Sequence, residues 1–223
     1  MTEALLFDFN GVLVDDEAQH CESLQVVLAD EGIALSDDEY YTVYLGIDDR
    51  MSFVEAFRRA NRTLTSEHLT RLVQAKSQIY QDLVAASWRM VAGAPEFVSD
   101  AGRRFRLGIV SGALRREIDA ALSQFGIAER FETIIAAEDV PRCKPDPAGY
   151  LTAHAALDRR GPISVRACVA IEDSLHGLDA ARAAGMACVM LATSLPARTL
   201  RASGAALVWD SLAGHAPAEL AEL

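Results

Sequence analysis

The sequence predicts an α/β fold in which a doubly wound parallel sheet carries an inserted helical domain. Two observations lead to this prediction. After residue 95, short apolar runs alternate with helix-forming stretches, a spacing typical of parallel strands joined by helical crossovers. Between residues 17 and 90, helix-forming stretches follow one another without a strand-like run. The inserted domain is therefore predicted to span residues 17–90, and the sheet domain residues 1–16 and 91–223.

The first predicted element is a strand, ALLFDF, at residues 4–9. Its apolar run favours a central position in a parallel sheet, where both faces of a strand are buried. A helix is predicted over residues 17–31, with Glu17 in its first turn and Gly32 just past its end. The other helices of the inserted domain are predicted at about 37–45, 50–61 and 66–86.

The second part of the chain supplies five more strands and four more helices. The strands are predicted at RLGIV (106–110), ETIIAA (132–137), ACVAIE (167–172), ACVMLA (187–192) and ALV (206–208). The helices are predicted at about 95–102, 113–125, 147–157 and 174–184. In a sheet of this kind, the functional site is expected at the carboxyl ends of the strands.

Composition argues against several classes of protein. The chain is 51% hydrophobic and has a net charge of −11, which disfavours binding to nucleic acid or to anionic membranes. No apolar run approaches the ~20 residues of a membrane span, and the start MTEALLFDF lacks the basic region of a secretory signal. The four cysteines form no CxxC pair, so we expect neither disulfides nor a zinc site. This cysteine usage favours a cytoplasmic location. We make no prediction of the oligomeric state.

Chemically capable side chains fall at the predicted strand ends. Asp8 lies at the end of the first strand, Ser111 and Gly112 follow the second, and Glu172 and Asp173 come at the end of ACVAIE. Three carboxylates on one rim repel each other unless a cation lies between them. Oxygen ligands without imidazole or thiolate favour Mg²⁺ as that cation.

Lysine is rare in this chain, and one lysine falls in a strand-end loop. All but two of the 21 basic residues are arginine, and the exceptions are Lys76 and Lys144. A compact point charge with a function and chance retention of a lysine both explain this pattern. Lys144 and the hydroxyl of Ser111 can hold a phosphate group near Asp8. Together with a cation, this set suits a nucleophilic carboxylate that attacks phosphorus to give an acyl phosphate.

Four motifs carry a resemblance to a known family. They are FDFNGVLVDDE (7–17), VSG (110–112), KPDP (144–147) and IEDSLHGLDAARAAGM (171–186). In their order and spacing the chain resembles the haloacid dehalogenase superfamily, in the helical-cap branch that includes β-phosphoglucomutase-like phosphatases. The resemblance implies a Rossmann-like core, a helical cap domain at residues 17–90, a Mg²⁺ ion and an aspartyl-phosphate intermediate.

The resemblance also implies a role for each matched residue. Asp8 is the nucleophile, and Ser111 and Lys144 bind the transferred phosphoryl group beside Gly11 and Gly112. The metal ligands are Asp8, Asp173 and the main-chain carbonyl of Asn10, with support from Glu172. Dehalogenases of the superfamily need no metal, so the acidic pair at residues 172 and 173 argues against dehalogenation.

Position 10 departs from the family pattern, because phosphotransferase members carry a second aspartate there as the general acid and base. Asn10 keeps the main-chain carbonyl but cannot transfer a proton. We therefore expect intact binding of metal and phosphate with impaired proton transfer. Asp15 and Asp16 are candidate substitutes for the missing acid, and capping of the next helix explains them equally well.

Three residues of the inserted domain are candidate substrate contacts. Lys76 and His20 each fall on the apolar stripe of a predicted helix, which indicates a function, and the resemblance implies that both lie near the cleft between core and cap. The alternatives are a lysine whose charge reaches solvent and a histidine hydrogen-bonded within the core. Arg50, in a loop of the cap, is a weaker candidate for a distal anion of the substrate.

The sequence thus predicts a Mg²⁺-dependent phosphatase that acts on a small phosphorylated metabolite. Two alternatives remain open. One is a phosphosugar mutase. Asn10 should impair mutase activity more than phosphatase activity, because a mutase must protonate and deprotonate sugar hydroxyls in each half-reaction. The other is a catalytically silent protein that binds a phosphorylated ligand.

Overall fold

A computed structural model describes residues 1–84 and 88–223. Its centre is a sheet of six parallel strands in the order β3-β2-β1-β4-β5-β6. The strands are β1 (Ala4–Phe7), β2 (Arg106–Val110), β3 (Thr133–Ile135), β4 (Cys168–Glu172), β5 (Ala187–Leu191) and β6 (Leu207–Trp209). The predicted α/β fold with a doubly wound parallel sheet is confirmed, although most strands are shorter than predicted.

The central position of β1 sets the geometry of the site. All four of its residues are buried, as expected for a strand covered on both faces. Phe7 is in register with Ile109 of β2 and Ile171 of β4, and the N–H of Asp8 donates to the carbonyl of Ile171 at 2.9 Å. The residues that follow these positions therefore lie level at one edge of the sheet.

Four helical segments follow β1 and form the inserted block. They are α1 (Glu17–Asp30), α2 (Asp37–Glu39, continued by a π-helical turn at Tyr40–Tyr44), α3 (Asp49–Arg59) and α4 (Ser66–Val84). The prediction of one regular helix over 37–45 thus differs from the structure, which widens to a π turn. The predicted last residues of α4, 85 and 86, lie outside the described residues.

Five helices pack against the sheet in the second part of the chain. They are α5 (Ala94–Ala101), α6 (Arg115–Phe125), α7 (Ala148–Asp158), α8 (Leu175–Ala183) and α9 (Ala197–Ala202). Helix α9 was not predicted from the sequence; it has only six residues and buries Leu200 alone. A segment this short shows too little periodicity to be read as a helix.

The apolar residues form three clusters, two on the faces of the sheet and one within the inserted block. Phe7 and Leu6, neighbours on β1, belong to the clusters on opposite faces. The third cluster lies among α1 to α4, where Leu24, Phe53 and Leu72 are buried together. The inserted block thus has an apolar core of its own, while the boundaries of the two domains stay a prediction.

The two connections between the parts of the chain run side by side. The N–H of Asp15 donates to the carbonyl of Arg89 at 2.9 Å, and the N–H of Val91 donates to that of Leu13 at 3.0 Å. This pairing brings the inserted block over the edge of the sheet that carries Asp8. Among the described helices, none is both long and apolar enough to cross a membrane.

Candidate active site

The carboxylate of Asp8, just past the end of β1, meets a lysine from a distant loop. The ammonium nitrogen of Lys144 lies 2.8 Å from Oδ2 of Asp8 and 2.6 Å from Oε1 of Glu172. The main-chain N–H of Phe9 donates to Oδ1 of Asp8 at 2.7 Å, and the hydroxyl of Tyr150 donates to Glu172 at 2.7 Å. Lys144 therefore bridges two buried carboxylates that come from neighbouring strands.

A third carboxylate, that of Asp173, completes a group of acids at this edge. Oxygen atoms of Asp8, Glu172 and Asp173 lie within 4.8 Å of one another, and all three side chains are buried. Gly11 packs against the group with a φ of +68°, and a Cβ atom on it would lie 2.0 Å from Oδ2 of Asp173. Position 11 therefore requires glycine, because a side chain there would be strained and would displace the carboxylate.

These acids carry more negative charge than one lysine can balance. Burial, followed by the carboxylate of Glu172, raises the pKa of Asp8 to about 6, although Lys144 opposes the shift. Burial and then the charges of Glu17 and Asp8 raise the pKa of Asp173 well above its usual value. Burial alone would lower the pKa of Lys144, but its two acidic partners raise it. A divalent cation that prefers oxygen ligands fits this set, because it would relieve the repulsion.

The first turn of α8 fixes the carboxylate of Glu172. The hydroxyl of Ser174 accepts a hydrogen bond from the N–H of Gly177 at 3.0 Å and donates to Oε2 of Glu172 at 3.2 Å. A Cβ atom on Gly177 would lie 1.9 Å from the carboxyl carbon of Glu172. The turn after β4 thus holds this acid in place and leaves no space for a side chain at position 177.

Ser111 directly follows β2 and its side chain is buried. Its N–H donates to the carbonyl of Ile135 at 2.9 Å, and its hydroxyl accepts from the N–H of Ala113 at 3.1 Å. Gly112 then passes beneath the inserted block, where a Cβ atom would approach Asp48 to 3.5 Å. The hydroxyl of Ser111 can still donate one hydrogen bond, as binding of an anion requires.

Lys76 of α4 points into the molecule and is only 2% exposed. Its ammonium nitrogen lies 2.5 Å from Oδ1 of Asp49 and 2.9 Å from Nδ1 of His20. The ring of His20 stacks on that of Tyr80 with 4.1 Å between the centroids. Burial, followed by the charge of Lys76, lowers the pKa of His20 well below its usual value, so the imidazole is neutral. The alternative in which Lys76 reaches solvent does not agree with this burial.

The side chain of Asn10 joins the loop after β1 to α1. Its Nδ2 donates to the two carboxylate oxygens of Asp16 at 3.0 and 3.1 Å and lies 2.9 Å from Nε2 of His20. The hydroxyl of Tyr80 donates to the same carboxylate at 2.5 Å. Burial is the main cause that raises the pKa of Asp16 to about 7.

Capping of α1 was the alternative explanation for Asp15 and Asp16, and it does not hold for Asp16. It occupies the N-cap position, yet within the described chain its carboxylate accepts no hydrogen bond from the N–H groups of the helix. Asn10 and Tyr80 occupy its oxygens instead. Asp15 is exposed to solvent.

A cavity between the sheet and the inserted block collects most of the predicted site residues. Its lining includes Asp8, Asn10, Ser111, Gly112, Lys144 and Asp173 from the sheet side, with His20 and Lys76 from the helical side. Glu172 lies behind Lys144, and Gly11 lies behind Asp173. The cavity holds about 50 Å³, far less than the roughly 300–1,000 Å³ of most small-molecule sites, so the inserted block is closed over the sheet.

Arg50 is the one predicted site residue that the structure places away from this cavity. Its N–H donates to Oδ1 of Asp48 at 2.9 Å, which fixes it in the first turn of α3. Neighbouring side chains on a helix point about 100° apart, so Asp49 faces Lys76 while Arg50 is exposed on an outer groove. A contact between Arg50 and the substrate stays a prediction that this geometry does not support.

Two acids of the helical block line the cavity without having been predicted as site residues. Glu17 accepts a hydrogen bond from the hydroxyl of Tyr40, and Asp49 forms the ion pair with Lys76. A signal for Glu17 was present, because it lies three residues before His20 on α1 and therefore on the same face. No comparable signal marks Asp49, whose direction depends on how α3 packs against α4.

Comparison with known proteins agrees with this architecture. The family model of the haloacid dehalogenase-like hydrolases matches residues 5–191. The chain belongs to this family. The predicted superfamily and the prediction of a hydrolase are thereby confirmed.

Individual relatives extend over almost the whole chain. Validoxylamine A 7′-phosphate phosphatase of Streptomyces hygroscopicus subsp. limoneus is 29% identical over 201 residues, which cover 90% of each chain. A β-phosphoglucomutase of Clostridium difficile superposes with a TM-score of 0.86 at 23% identity, and the match covers 100% of this chain and 96% of that one. A mutant of CbbY from Rhodobacter sphaeroides, in complex with xylulose-(1,5)bisphosphate, superposes with a TM-score of 0.81 at 27% identity and 96% coverage of both chains.

Proposed function

We propose that the protein is a Mg²⁺-dependent phosphatase that hydrolyses a phosphomonoester of a small metabolite through an aspartyl-phosphate on Asp8. The observation that carries this proposal is the meeting of one carboxylate, one lysine and one hydroxyl in a closed cavity. Asp8, Lys144 and Ser111 come from three different strand ends, and all line that cavity. A carboxylate nucleophile beside groups that can hold a phosphoryl group is the arrangement that covalent phosphoryl transfer requires.

In the first step, a carboxylate oxygen of Asp8 attacks phosphorus, the bond from phosphorus to the leaving oxygen breaks, and the released alkoxide takes a proton from water to become the alcohol. In the second step, water attacks the phosphorus of the acyl phosphate, so that inorganic phosphate leaves and the carboxylate is restored. Lys144, within 2.8 Å of Asp8, offsets negative charge on the phosphoryl oxygens in both steps. Ser111 donates its hydroxyl hydrogen to one of those oxygens.

The residues that would hold Mg²⁺ are Asp8, Asp173 and the main-chain carbonyl of Asn10, with Glu172 behind them. When bound, the ion supplies positive charge that stabilises the phosphoryl group during transfer. The raised pKa values of Asp8 and Asp173 support this assignment, since burial and then the charges of neighbouring carboxylates cause both shifts.

Proton transfer is the weak step of this site. Asn10 lines the cavity at the place of the family's general acid and base, and an amide exchanges no proton at neutral pH. Asp16 is the best substitute by position, but it does not line the cavity, and Asn10 lies against its carboxylate. We therefore expect slow hydrolysis of esters whose leaving group needs a proton.

The relatives support the substrate class. One is a phosphatase of validoxylamine A 7′-phosphate, and another, CbbY, was crystallised with a sugar bisphosphate. Both ligands are phosphorylated compounds. The mutase alternative draws support from the β-phosphoglucomutase neighbour only at the level of the fold.

The test is a comparison of an aryl phosphate with an alkyl phosphate in the presence of Mg²⁺. The wild-type protein is expected to hydrolyse para-nitrophenyl phosphate with a higher kcat than glucose 6-phosphate, because nitrophenolate leaves without protonation. Asp8→Asn is expected to abolish both activities, whereas Asp119→Asn, at an exposed position on α6, is expected to keep both. Equal loss in the two variants, or turnover by Asp8→Asn, would contradict the proposal. Bisphosphate-dependent conversion of a hexose 1-phosphate would instead identify a mutase.

A further inference from the structure

The helical side of the cavity carries acidic groups in excess of basic ones. Glu17 and Asp49 are its carboxylates, and in the described part of the chain Lys76 is the one lysine or arginine that lines it from this side. His20, the remaining nitrogen base there, has its Nδ1 only 2.9 Å from the ammonium nitrogen of Lys76, so that ring nitrogen accepts from Lys76 and offers no proton to an anion. Lys144 lies on the opposite side and is bound to two carboxylates at the nucleophile.

The charge of Lys76 is already neutralised by an ion pair with Asp49. Its ammonium group contacts Oδ1 of Asp49 at 2.5 Å and Nδ1 of His20 at 2.9 Å, and its side chain is almost fully buried. A second anionic group on a substrate would have to displace Asp49 or lie beside it, and like charges at short distance in a partly buried site repel strongly. Arg50 cannot compensate, since its side chain lies on the outer groove.

The same carboxylates can accept hydrogen bonds. In the described structure, Oε1 of Glu17 accepts from Tyr40 and Oδ1 of Asp49 contacts Lys76, while no hydrogen bond is recorded to Oε2 or Oδ2. Burial is the main cause that raises the pKa of Glu17 to about 7, and a carboxyl group keeps a free acceptor oxygen whether it is ionised or protonated. Leu24, Leu45 and Ile47 form an apolar wall beside these acids. The helical side therefore offers hydrogen-bond acceptors and an apolar surface to the part of the substrate that is not phosphorylated.

We infer that the substrate is a phosphomonoester with a single anionic group, whose remaining part is a polyol that donates hydrogen bonds to Glu17 and Asp49. This inference rests on the proposed function and narrows it: the Asp49–Lys76 ion pair excludes bisphosphates and phosphorylated carboxylic acids. Asp49 acts as a specificity residue because it neutralises the one cation that would otherwise attract a second anion.

The wild-type protein with Mg²⁺ provides the first test, on two matched pairs of substrates. Fructose 6-phosphate is compared with fructose 1,6-bisphosphate, and glycerol 3-phosphate is compared with 3-phosphoglycerate, which replaces a hydroxymethyl group by a carboxylate. In each pair, kcat/KM is expected to be at least about tenfold higher for the substrate with one anionic group. A preference for the second anion in either pair would overturn the inference.

The second test is Asp49→Asn, which removes the partner charge of Lys76. The ratio of kcat/KM for fructose 1,6-bisphosphate to that for fructose 6-phosphate is expected to rise about tenfold, mainly through KM. Glu67→Gln is the matched control, because it removes one acid from the exposed start of α4, away from the cavity, and should leave the ratio unchanged. A folded Asp49→Asn variant with an unchanged ratio would also overturn the inference.

The outcomes separate this inference from the proposed function. If para-nitrophenyl phosphate and all four metabolites remain intact, the proposed function is wrong and the inference falls with it. If phosphomonoesters are hydrolysed but the member of a pair with two anionic groups is preferred, the proposed function stands and only the inference fails. Should Asp49→Asn fail to fold, the two wild-type comparisons alone decide.

Discussion

The amide of Asn10 has a specific partner in the carboxylate of Asp16. Its Nδ2 donates to both oxygens of Asp16, so an amide at position 10 and a carboxylate at position 16 complement each other. The structure thus explains how an amide is accommodated beside the nucleophile. We expect that Asp16 does not take over the acid function, because its oxygens are held by Asn10 and Tyr80.

Restoring a carboxylate at position 10 should raise turnover. Asn10→Asp is expected to increase kcat for glucose 6-phosphate by ~10²-fold or more, since a positioned general acid and base contributes ~10²–10⁴ in rate. The new carboxylate would lie beside Asp16, and two buried carboxylates at hydrogen-bond distance retain one proton between them at neutral pH. Steady-state kinetics on the same preparation measure the change.

The internal control for this experiment is the rate of the nitrophenolate burst from para-nitrophenyl phosphate, because this first step gains little from an acid. The double variant Asn10→Asp with Asp16→Asn reverses the direction of the hydrogen bond and should also show the gain. If glucose 6-phosphate turnover stays at the wild-type level in both variants, Asn10 is not the reason for slow proton transfer.

Sequence reasoning worked for residues whose positions follow from the sheet. Asp8, Ser111 and Glu172 come together because parallel strands end at the same edge, a rule that needs no tertiary detail. Glu17 and Asp49 were not predicted as site residues, because their directions depend on how the helices of the inserted block pack over that edge. The exposed position of Arg50 likewise depends on how these helices pack, so the sequence did not predict it.

At the level of elements, one buried contact joins helix α4 of the inserted block to helix α6 of the sheet domain. The hydroxyl of Ser77 donates to Oε1 of Glu117 at 2.6 Å, and Nη2 of Arg116 donates to the hydroxyl of Ser77 at 2.5 Å. Ser77 and Glu117 are both buried. Burial is the main cause that raises the pKa of Glu117, so its carboxylate depends on its hydrogen-bond donors.

Loss of this contact should weaken closure of the helical block over the site. Ser77→Ala is expected to raise KM for para-nitrophenyl phosphate by about fivefold, because a net hydrogen bond of about 1 kcal/mol then no longer favours the closed form. The measurement is KM together with the thermal unfolding midpoint, which separates a shift in closure from general loss of stability.

Thr70→Ala is the matched control for this variant, since its hydroxyl bonds only within the exposed face of α4, to the carbonyl of Ser66. Thr70→Ala should leave KM unchanged. A wild-type KM in a stably folded Ser77→Ala protein would contradict a role for the contact in closure.

Elements with long apolar patterns were predicted well, and the exceptions have physical causes. The strands and helices that pack on the sheet were found because each buries a continuous apolar face. The π turn at Tyr40–Tyr44 was missed because its apolar pattern also fits a regular helix. Helix α9 is too short for its periodicity to be recognised.

On the scale of the whole molecule, the protein closes a cavity around several carboxylates. The raised pKa values of Asp8 and Asp173 mean that their ionised forms oppose folding at neutral pH, when no cation is bound. A bound cation would raise the free energy of unfolding, because it binds the folded chain and not the unfolded one. Stability and metal binding are therefore coupled.

Mg²⁺ alone should stabilise the protein without substrate. At a concentration of about ten times its Kd, the unfolding midpoint is expected to rise by about 4 °C relative to protein in EDTA. Asp173→Asn should lose this rise, and in EDTA it should be at least as stable as the wild type because a repelling charge has gone. Differential scanning calorimetry measures both effects, with Asp119→Asn as a control that responds like the wild type.

The proposed mechanism depends most directly on a covalent bond between phosphorus and Asp8. With para-nitrophenyl phosphate the first step needs no acid, whereas hydrolysis of the acyl phosphate lacks a base at Asn10, so the phosphorylated protein should accumulate. The decisive measurement is rapid acid quenching of this reaction followed by peptide mass spectrometry. The proposed mechanism predicts a burst of nitrophenolate and a phosphate group on the peptide that carries Asp8. Continued turnover with no phosphate on that peptide at any quench time would contradict it.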